Sequence, residues 1–131
     1  MTSDFQTDHA IETYKSLLQI SVAALKFLAL LNGGAAVALL AYLGNIAGKS
    51  VTAPDVRFSM ACYLAGLVSC GFAFAASYLT QLRYYNELVG GPGSGSGVGR
   101  HQLWLSLAIT LAVLSLVAFA VGSYSAALRL R

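Results

Sequence analysis

Residues Ser16–Ala47 read SLLQISVAALKFLALLNGGAAVALLAYLGNIA, and this segment decides the fold of the chain. It contains one charged residue, Lys26, among thirty-two. The segment is too apolar for the surface of a soluble domain, and it is longer than the roughly 20 residues that one bilayer crossing needs. We therefore predict one long helix whose second half lies in lipid and whose first half extends beyond the lipid.

Two further segments have the same character. Phe58–Leu79 contains no charge in twenty-two residues, and Leu103–Leu128 contains none in twenty-six. Both are longer than the roughly 18 apolar residues that indicate a spanning helix. A backbone in hydrocarbon must satisfy its own hydrogen bonds, which favours helices over isolated strands. The predicted fold class is an all-α integral membrane bundle of three transmembrane helices, the first long with an amphipathic N-terminal half.

The three predicted helices form a single membrane domain over residues 1–131. Helix 1 is predicted over about 5–47, helix 2 over about 56–88 and helix 3 over about 101–128. Gly90–Gly99, GGPGSGSGVG, has the composition of a flexible loop. It is not typical of a phosphate-binding loop, because no Lys-Ser or Lys-Thr pair follows it.

The two halves of helix 1 differ in polarity. Polar side chains recur in the first half at steps that place them in one narrow stripe of a helix. Small residues form a stripe in the second half, where close packing with another helix is the expected role. A hinge at Gly33–Gly34 is the alternative. The polar stripe is Asp8, Glu12, Lys15, Gln19 and Lys26, and the small stripe includes Gly34, Ala38, Ala41 and Asn45.

Helix 2 has a complementary stripe that is small first and polar last. A short turn joins helices 1 and 2, so they should lie antiparallel, with small residues facing small residues. Helix 3 has its own small face. The predicted packing residues of helices 1 and 2 are Gly33, Gly34, Ala38, Ala41, Ala65, Ser69 and Ala73, and the small face of helix 3 is Ala108, Ala112, Ser115, Gly122 and Ser125.

Three polar residues of helix 1 are candidates for a role inside the membrane. Lys26 is expected to extend its stem towards the headgroups, although an intramembrane charge is also a functional candidate. Asn32 lies deeper, and a hydrogen bond to another helix is favoured over an ion site. Asn45 is close to the far interface and is expected to act at the end of the helix.

Aromatic residues mark the expected membrane interfaces. Tyr84 and Tyr85 close helix 2 and Trp104 opens helix 3, so these three belong to one face, whereas Tyr124 marks the other. Lysine and arginine do not decide the orientation, because three spans place four of these residues on each side. One set is Lys15, Lys26, Arg83 and Arg100, and the other is Lys49, Arg57, Arg129 and Arg131.

The sequence favours a protein without enzymatic activity. All five acidic residues lie near predicted helix ends or in turns, and His9 and His101 stand alone. Neither a nucleophile with a base nor a set of metal ligands is therefore apparent in the spans. The expectation is no catalytic residue, no cofactor and no metal. A nucleic-acid partner is not expected either, because the eight basic residues form no run.

The segment Leu31–Asn45, LNGGAAVALLAYLGN, is preceded by HAIETYKSL and followed by YLTQLRYYNEL. Together these segments resemble uncharacterised small multi-pass bacterial inner-membrane proteins. The resemblance covers helices 1 and 2, about two thirds of the chain. It implies a bacterial cytoplasmic (inner) membrane location and no particular activity or site.

The expected function is that of a structural or interaction module. Its partners would be the lipid bilayer and either further copies of itself or a larger membrane complex. The alternative is an oligomeric pore or small channel in which the polar stripe of helix 1 faces the lumen. After Lys26 that stripe becomes small and apolar, which favours packing over a continuous aqueous pore.

Overall fold

The fold consists of three helices in a computed structural model, which describes residues 2–47, 49, 54–89 and 100–130. Helix α1 is Thr2–Ile46, α2 is Arg57–Val89 and α3 is Arg100–Arg129, and no strand occurs within these residues. The largest difference from the predicted bounds is three residues, at the start of α1. The predicted flexible loop 90–99 lies outside the described residues.

Each helix is long and apolar enough to cross a membrane, which confirms the predicted fold class. The candidate spans are Ile11–Ile46, Arg57–Arg83 and Gln102–Arg129. Large apolar side chains cover their outer surfaces, as the 73% exposure of Leu30 illustrates. Lipid is the solvent that favours such a surface. With 45 residues, α1 is about 68 Å long. This length is more than twice the roughly 30 Å of a hydrocarbon core.

The helices are arranged as two antiparallel pairs. The Cys70 thiol donates to the Leu25 carbonyl at 3.0 Å, while Leu39 packs with Val56 at the other end of the same pair. Helices α1 and α2 therefore run antiparallel, as predicted. Helices α2 and α3 are also antiparallel, and they contact each other more extensively than either contacts α1.

The start of α2 lies beside the end of α3. The Arg57 backbone N–H donates to Asp55 Oδ1 at 3.1 Å, so Asp55 caps α2 as its position predicts. The same carboxylate lies 3.7 Å from the Arg129 guanidinium at the end of α3. Both side chains are largely exposed, so this ion pair contributes at most about 1 kcal/mol.

The predicted packing face of α1 is wrong. Gly34, Ala38 and Ala41 are exposed. A Cβ built at Gly33 or Gly34 meets no residue of the other helices, in their described parts, within 4 Å. The face that packs on α2 and α3 is offset from the predicted face by two residues, with Asn32 in place of Gly34. This offset corresponds to a rotation of roughly 200° about the helix axis. It consists of Leu25, Leu28, Ala29, Asn32, Ala36, Leu39 and Leu43.

The predicted packing face of α2 is right at one end and wrong at the other. Ala73 is fully buried and Ser69 is half-buried, whereas Ala65 is exposed. Residues four apart drift by about 40° per step around a helix, so the predicted stripe winds off the contact surface towards the start of α2. The buried residues in and just before α2 are instead spaced by steps of three and four. They are Val56, Ser59, Tyr63, Gly66, Cys70, Ala73 and Ala76.

The small face of α3 packs against the other helices. Ala108, Ser115 and Gly122 are buried, and Ala112 and Ser125 are half-buried. Helix α1 continues through Gly33–Gly34 without interruption. The three helices therefore enclose two apolar clusters, one around Leu39 and Tyr63 and the other around Leu25 and Ala73.

The three-span arrangement predicts which exposed positions share a side of the membrane. In a Cys62→Ala, Cys70→Ala background, we expect Asp8→Cys and Gln102→Cys to react with an impermeant maleimide from the same side. Lys49→Cys and Leu130→Cys should react only from the opposite side, because an odd number of spans separates the ends. Equal labelling of Asp8→Cys and Leu130→Cys from one side would contradict three spans.

Candidate functional site

The only predicted in-membrane polar residue that is buried is Asn32. Its amide nitrogen donates to the Leu28 carbonyl of its own helix at 3.1 Å and to Ser115 Oγ of α3 at 3.1 Å. It also lies 3.4 Å from the Ser115 carbonyl. Both Asn32 and Ser115 have 0% exposure. The predicted hydrogen bond to another helix therefore joins α1 to α3.

The oxygen of the Asn32 amide faces Gly66 of α2. Among the described residues it accepts no hydrogen bond from nitrogen or oxygen. A Cβ built at Gly66 would lie 2.7 Å from Asn32 Cγ and closer still to Oδ1. Only hydrogen fits there, so the Gly66 Cα–H points at the oxygen, a weak but favourable contact. Asn32, Gly66 and Ser115, which we name the central layer, thus bring one residue from each helix together.

The central layer lies near the middle of the membrane. Ser115 is 13 residues after Gln102 and 14 before Arg129, the ends of the α3 span. Each end is therefore about 20 Å away along the helix. The Asn32 side chain can approach the backbone of α2 this closely only at a residue without a side chain, which accounts for glycine at position 66.

A second polar contact joins α2 to α3. The Tyr63 hydroxyl lies 3.1 Å from Ser123 Oγ, and its ring packs on Phe119 with the centroids 6.0 Å apart. A Cβ built at Gly122 would lie 2.9 Å from the Tyr63 ring. Gly122 therefore makes room for the tyrosine. Sequence analysis named Gly122 as small but missed Tyr63, since one tyrosine within an apolar run gives no signal that separates it from lipid-facing aromatics.

The other two polar candidates lie on the outside of α1. Lys26 is exposed and about 9 Å from the central layer. The Lys26 backbone is therefore roughly 6 Å inside the hydrocarbon boundary, and the lysine side chain is long enough to reach the headgroups from there. Asn45 is exposed near the end of α1, where its Oδ1 accepts a hydrogen bond from Lys49 Nζ at 2.7 Å. Neither residue belongs to the central layer.

The aromatic candidates lie at levels consistent with the two interfaces. The Arg83 guanidinium is 5.5 Å from the centroid of the Trp104 ring. Trp104 is 11 residues from Ser115, which is about 16 Å. Tyr85 and Tyr124 are exposed, at 62% and 70% respectively. The Tyr84 side chain lies outside the described part of the structure.

The central layer holds helices rather than reactive groups. Its three residues have no group that titrates near neutral pH. In the described part of the chain, no three His, Cys, Asp or Glu residues lie close enough to hold a metal ion. The chemistry that this arrangement supports is hydrogen bonding that fixes the register of three helices. Comparisons of the chain with protein-family models, with curated proteins and with solved structures find no match.

Proposed function

We propose that this protein is a non-enzymatic structural or interaction module of the membrane that self-associates through the outer face of α1. One observation carries the proposal. Gly34, Ala38 and Ala41 form a small-residue surface that faces away from α2 and α3. No described residue outside the local helix lies within 4 Å of a Cβ at Gly34. The surface is therefore open to a second helix.

Close approach of two helices is what such a surface favours in lipid. Lipid tails are as apolar as leucine, so association depends on packing and on polar contacts rather than on the hydrophobic effect. Gly34 and Ala38 are four residues apart, the spacing at which small residues let two backbones come together. The commonest arrangement of identical chains is a twofold dimer. We propose this arrangement, with the two α1 helices parallel.

The N-terminal half of α1 supports the same arrangement. Its polar stripe is exposed and lies about a quarter turn around the helix from the small residues, so both belong to the outer surface of α1. In a parallel pair, Glu12 of one copy lies about one turn from Lys15 of the other. Opposite charges at this spacing attract, whereas a stripe of one sign would repel. The apolar residues Leu17 and Ile20 of the same half are also exposed, at 57% and 62%.

We place this module in the bacterial cytoplasmic (inner) membrane. The support is the resemblance of Leu31–Asn45 and its flanking segments to small multi-pass proteins of that membrane. A larger membrane protein is the other partner that the outer face of α1 would fit.

The oligomeric state in nanodiscs tests the proposal. Ala38→Leu places a large side chain at an exposed position on the outer face of α1. We expect it to weaken dimerisation by about tenfold or more, because overpacking of a tight interface costs roughly 1–3 kcal/mol. Mass photometry at several protein concentrations measures the effect. Ala120→Leu, an exposed alanine on α3, is the matched control and should dimerise like the native chain.

Two outcomes would overturn this proposal. One is a native chain that stays monomeric at every concentration. The other is ion flux through liposomes that depends on Glu12 and Lys15, which would favour the pore. One observation supports that alternative: the side chains of the polar stripe, from Asp8 to Lys26, are exposed. A dimer without ion flux is the result we expect.

A further inference from the structure

A groove runs between α1 and α3 on the N-terminal side of the central layer. Its volume is about 360 Å³, which is within the range of small-ligand sites. It reaches from the boundary of the hydrocarbon, at Ser21 and Ser77, to the middle of the membrane. The deeper part is lined by apolar side chains, among them Leu28, Ala112, Val113 and Leu116.

The groove continues into the headgroup region. A second hollow of about 240 Å³ shares Ser21, Ser77 and Leu105 with the first. Thr80 and Gln81 add polar groups to it. Gln81 is 15 residues after Gly66, hence about 22 Å from the central layer, a depth at which lipid headgroups lie. The groove is thus apolar in the hydrocarbon and polar at the interface.

The polar end has unused hydrogen-bonding capacity. Ser77 and Gln81 form no side-chain hydrogen bond with any other described residue. Ser21 and Thr80 donate to carbonyls of their own helices, at 2.8 and 2.9 Å, which leaves both hydroxyl oxygens able to accept. A bound head could therefore both accept and donate hydrogen bonds here.

Charge separates this groove from the neighbouring surface. No charged residue lines either part of it. Arg83 lines a separate hollow on the flank of the bundle, and Lys26 lines a hollow that adjoins the polar end of the groove at Leu18 and Gln81. A lipid with an anionic head would gain more in those two hollows, because an uncharged site does not compensate for desolvation of the anion.

We propose that this groove, which we name the α1–α3 groove, binds an uncharged lipid with one chain and a hydrogen-bonding head. The chain lies along Leu28 and Val113, and the head lies at Ser21 and Ser77, which line both parts of the groove and not the Lys26 hollow. The proposal does not depend on dimerisation, because the groove is on a different side of α1 from Gly34 and Ala38.

The test uses an alkyl benzoquinone with a ten-carbon chain, which has an uncharged head and quenches tryptophan. The chain has a single tryptophan, Trp104, next to groove residue Leu105. When the quinone is titrated into nanodiscs that each hold one copy of the protein, the quenching of Trp104 fluorescence should saturate. Monodecanoylglycerol should reverse the quenching by competition, whereas decyl phosphate, with a charged head, should not.

Two neighbouring alanines provide matched variants. Ala24 lines the groove and Ala23 lines the Lys26 hollow, and both are exposed. Ala24→Phe should abolish saturable quenching because the ring fills the groove, while Ala23→Phe should bind like the native chain. Ser77→Ala should weaken binding by about fivefold through the lost hydrogen bond.

Each contrary result would overturn the proposal. Quenching that rises in proportion to the quinone and equally in all variants would mean that only bulk phospholipid fills the groove. Competition by decyl phosphate as strong as by monodecanoylglycerol would refute an uncharged head. Quenching lost when a second copy is added would mean that a helix of that copy occupies the groove.

Discussion

Replacement of Gly66 by alanine is expected to destabilise the bundle by about 1–3 kcal/mol. The new Cβ would lie 2.7 Å from Asn32 Cγ and 3.0 Å from Nδ2, closer than carbon atoms approach one another. The amide cannot simply turn aside, because hydrogen bonds to Leu28 and Ser115 hold it. Either these bonds break or α1 moves away from α2. Unfolding in SDS, followed by Trp104 fluorescence, measures the loss.

Gly71→Ala is the control for this substitution. It changes the same residue type in the same helix, but a Cβ there meets no other part of the chain within 4 Å. Alanine favours the helix over glycine, so this variant should be as stable as the native chain or slightly more stable. Equal destabilisation by both variants would show that Gly66 has no special contact.

A double variant identifies the atoms responsible. Asn32→Ala removes the side chain that the new methyl group meets. Asn32→Ala with Gly66→Ala should therefore be more stable than the sum of the single effects predicts, by about 1–2 kcal/mol. Hydrogen bonds between membrane helices contribute only about 0.6 kcal/mol on average. If Gly66→Ala acted through a contact that does not involve Asn32, the two substitutions would instead add.

The sequence predicts the number, type and bounds of the helices but not which face of each helix is buried. Three long apolar segments decide the former, because hydrocarbon admits only a backbone that bonds to itself. The buried face is a different matter. Leu30 is 73% exposed and Leu39 only 6%, although both are leucines of one apolar helix. Lipid solvates leucine as well as another helix does, so hydrophobicity does not separate these positions.

Small residues gave a correct prediction in α3 and an incorrect one in α1. In α3 the small residues Ala108, Ser115 and Gly122 recur every seven residues, a spacing that stays on one side of a helix. In α1 the residues Gly34, Ala38 and Ala41 also share a side, but that side faces outward. Close packing against α2 was predicted there, whereas in the structure α2 and α3 pack on the opposite side of α1.

Asn32 was the most informative residue for the central layer. A buried amide in lipid needs a hydrogen-bond partner, so the face of α1 that contains Asn32 is expected to contact another helix. Gly66 was not predicted, because its role depends on the position of an atom in another helix. Only the relative placement of α1 and α2 shows that a Cβ at Gly66 has no room.

The largest loss of stability is expected from Ala73→Leu. Ala73 has 0% exposure and packs in one cluster with Leu25 of α1 and Leu111 of α3. Three added carbons would press on both helices at once, whereas the three atoms nearest to a methyl group at Gly66 all belong to Asn32 of α1. We expect a loss of about 3 kcal/mol, the upper end for overpacking of a core. The same SDS unfolding measures it.

Ala65→Leu separates the observed packing from the packing that the sequence predicts. Both alanines belong to the predicted stripe of α2, but Ala65 is exposed. Leucine there would lie in lipid and should change stability by at most about 0.5 kcal/mol. If Ala65→Leu destabilised the bundle as much as Ala73→Leu, α1 would pack along the small-residue stripe after all. A loss confined to Ala73→Leu requires the inner face of α1 to be the one that contains Leu25 and Asn32.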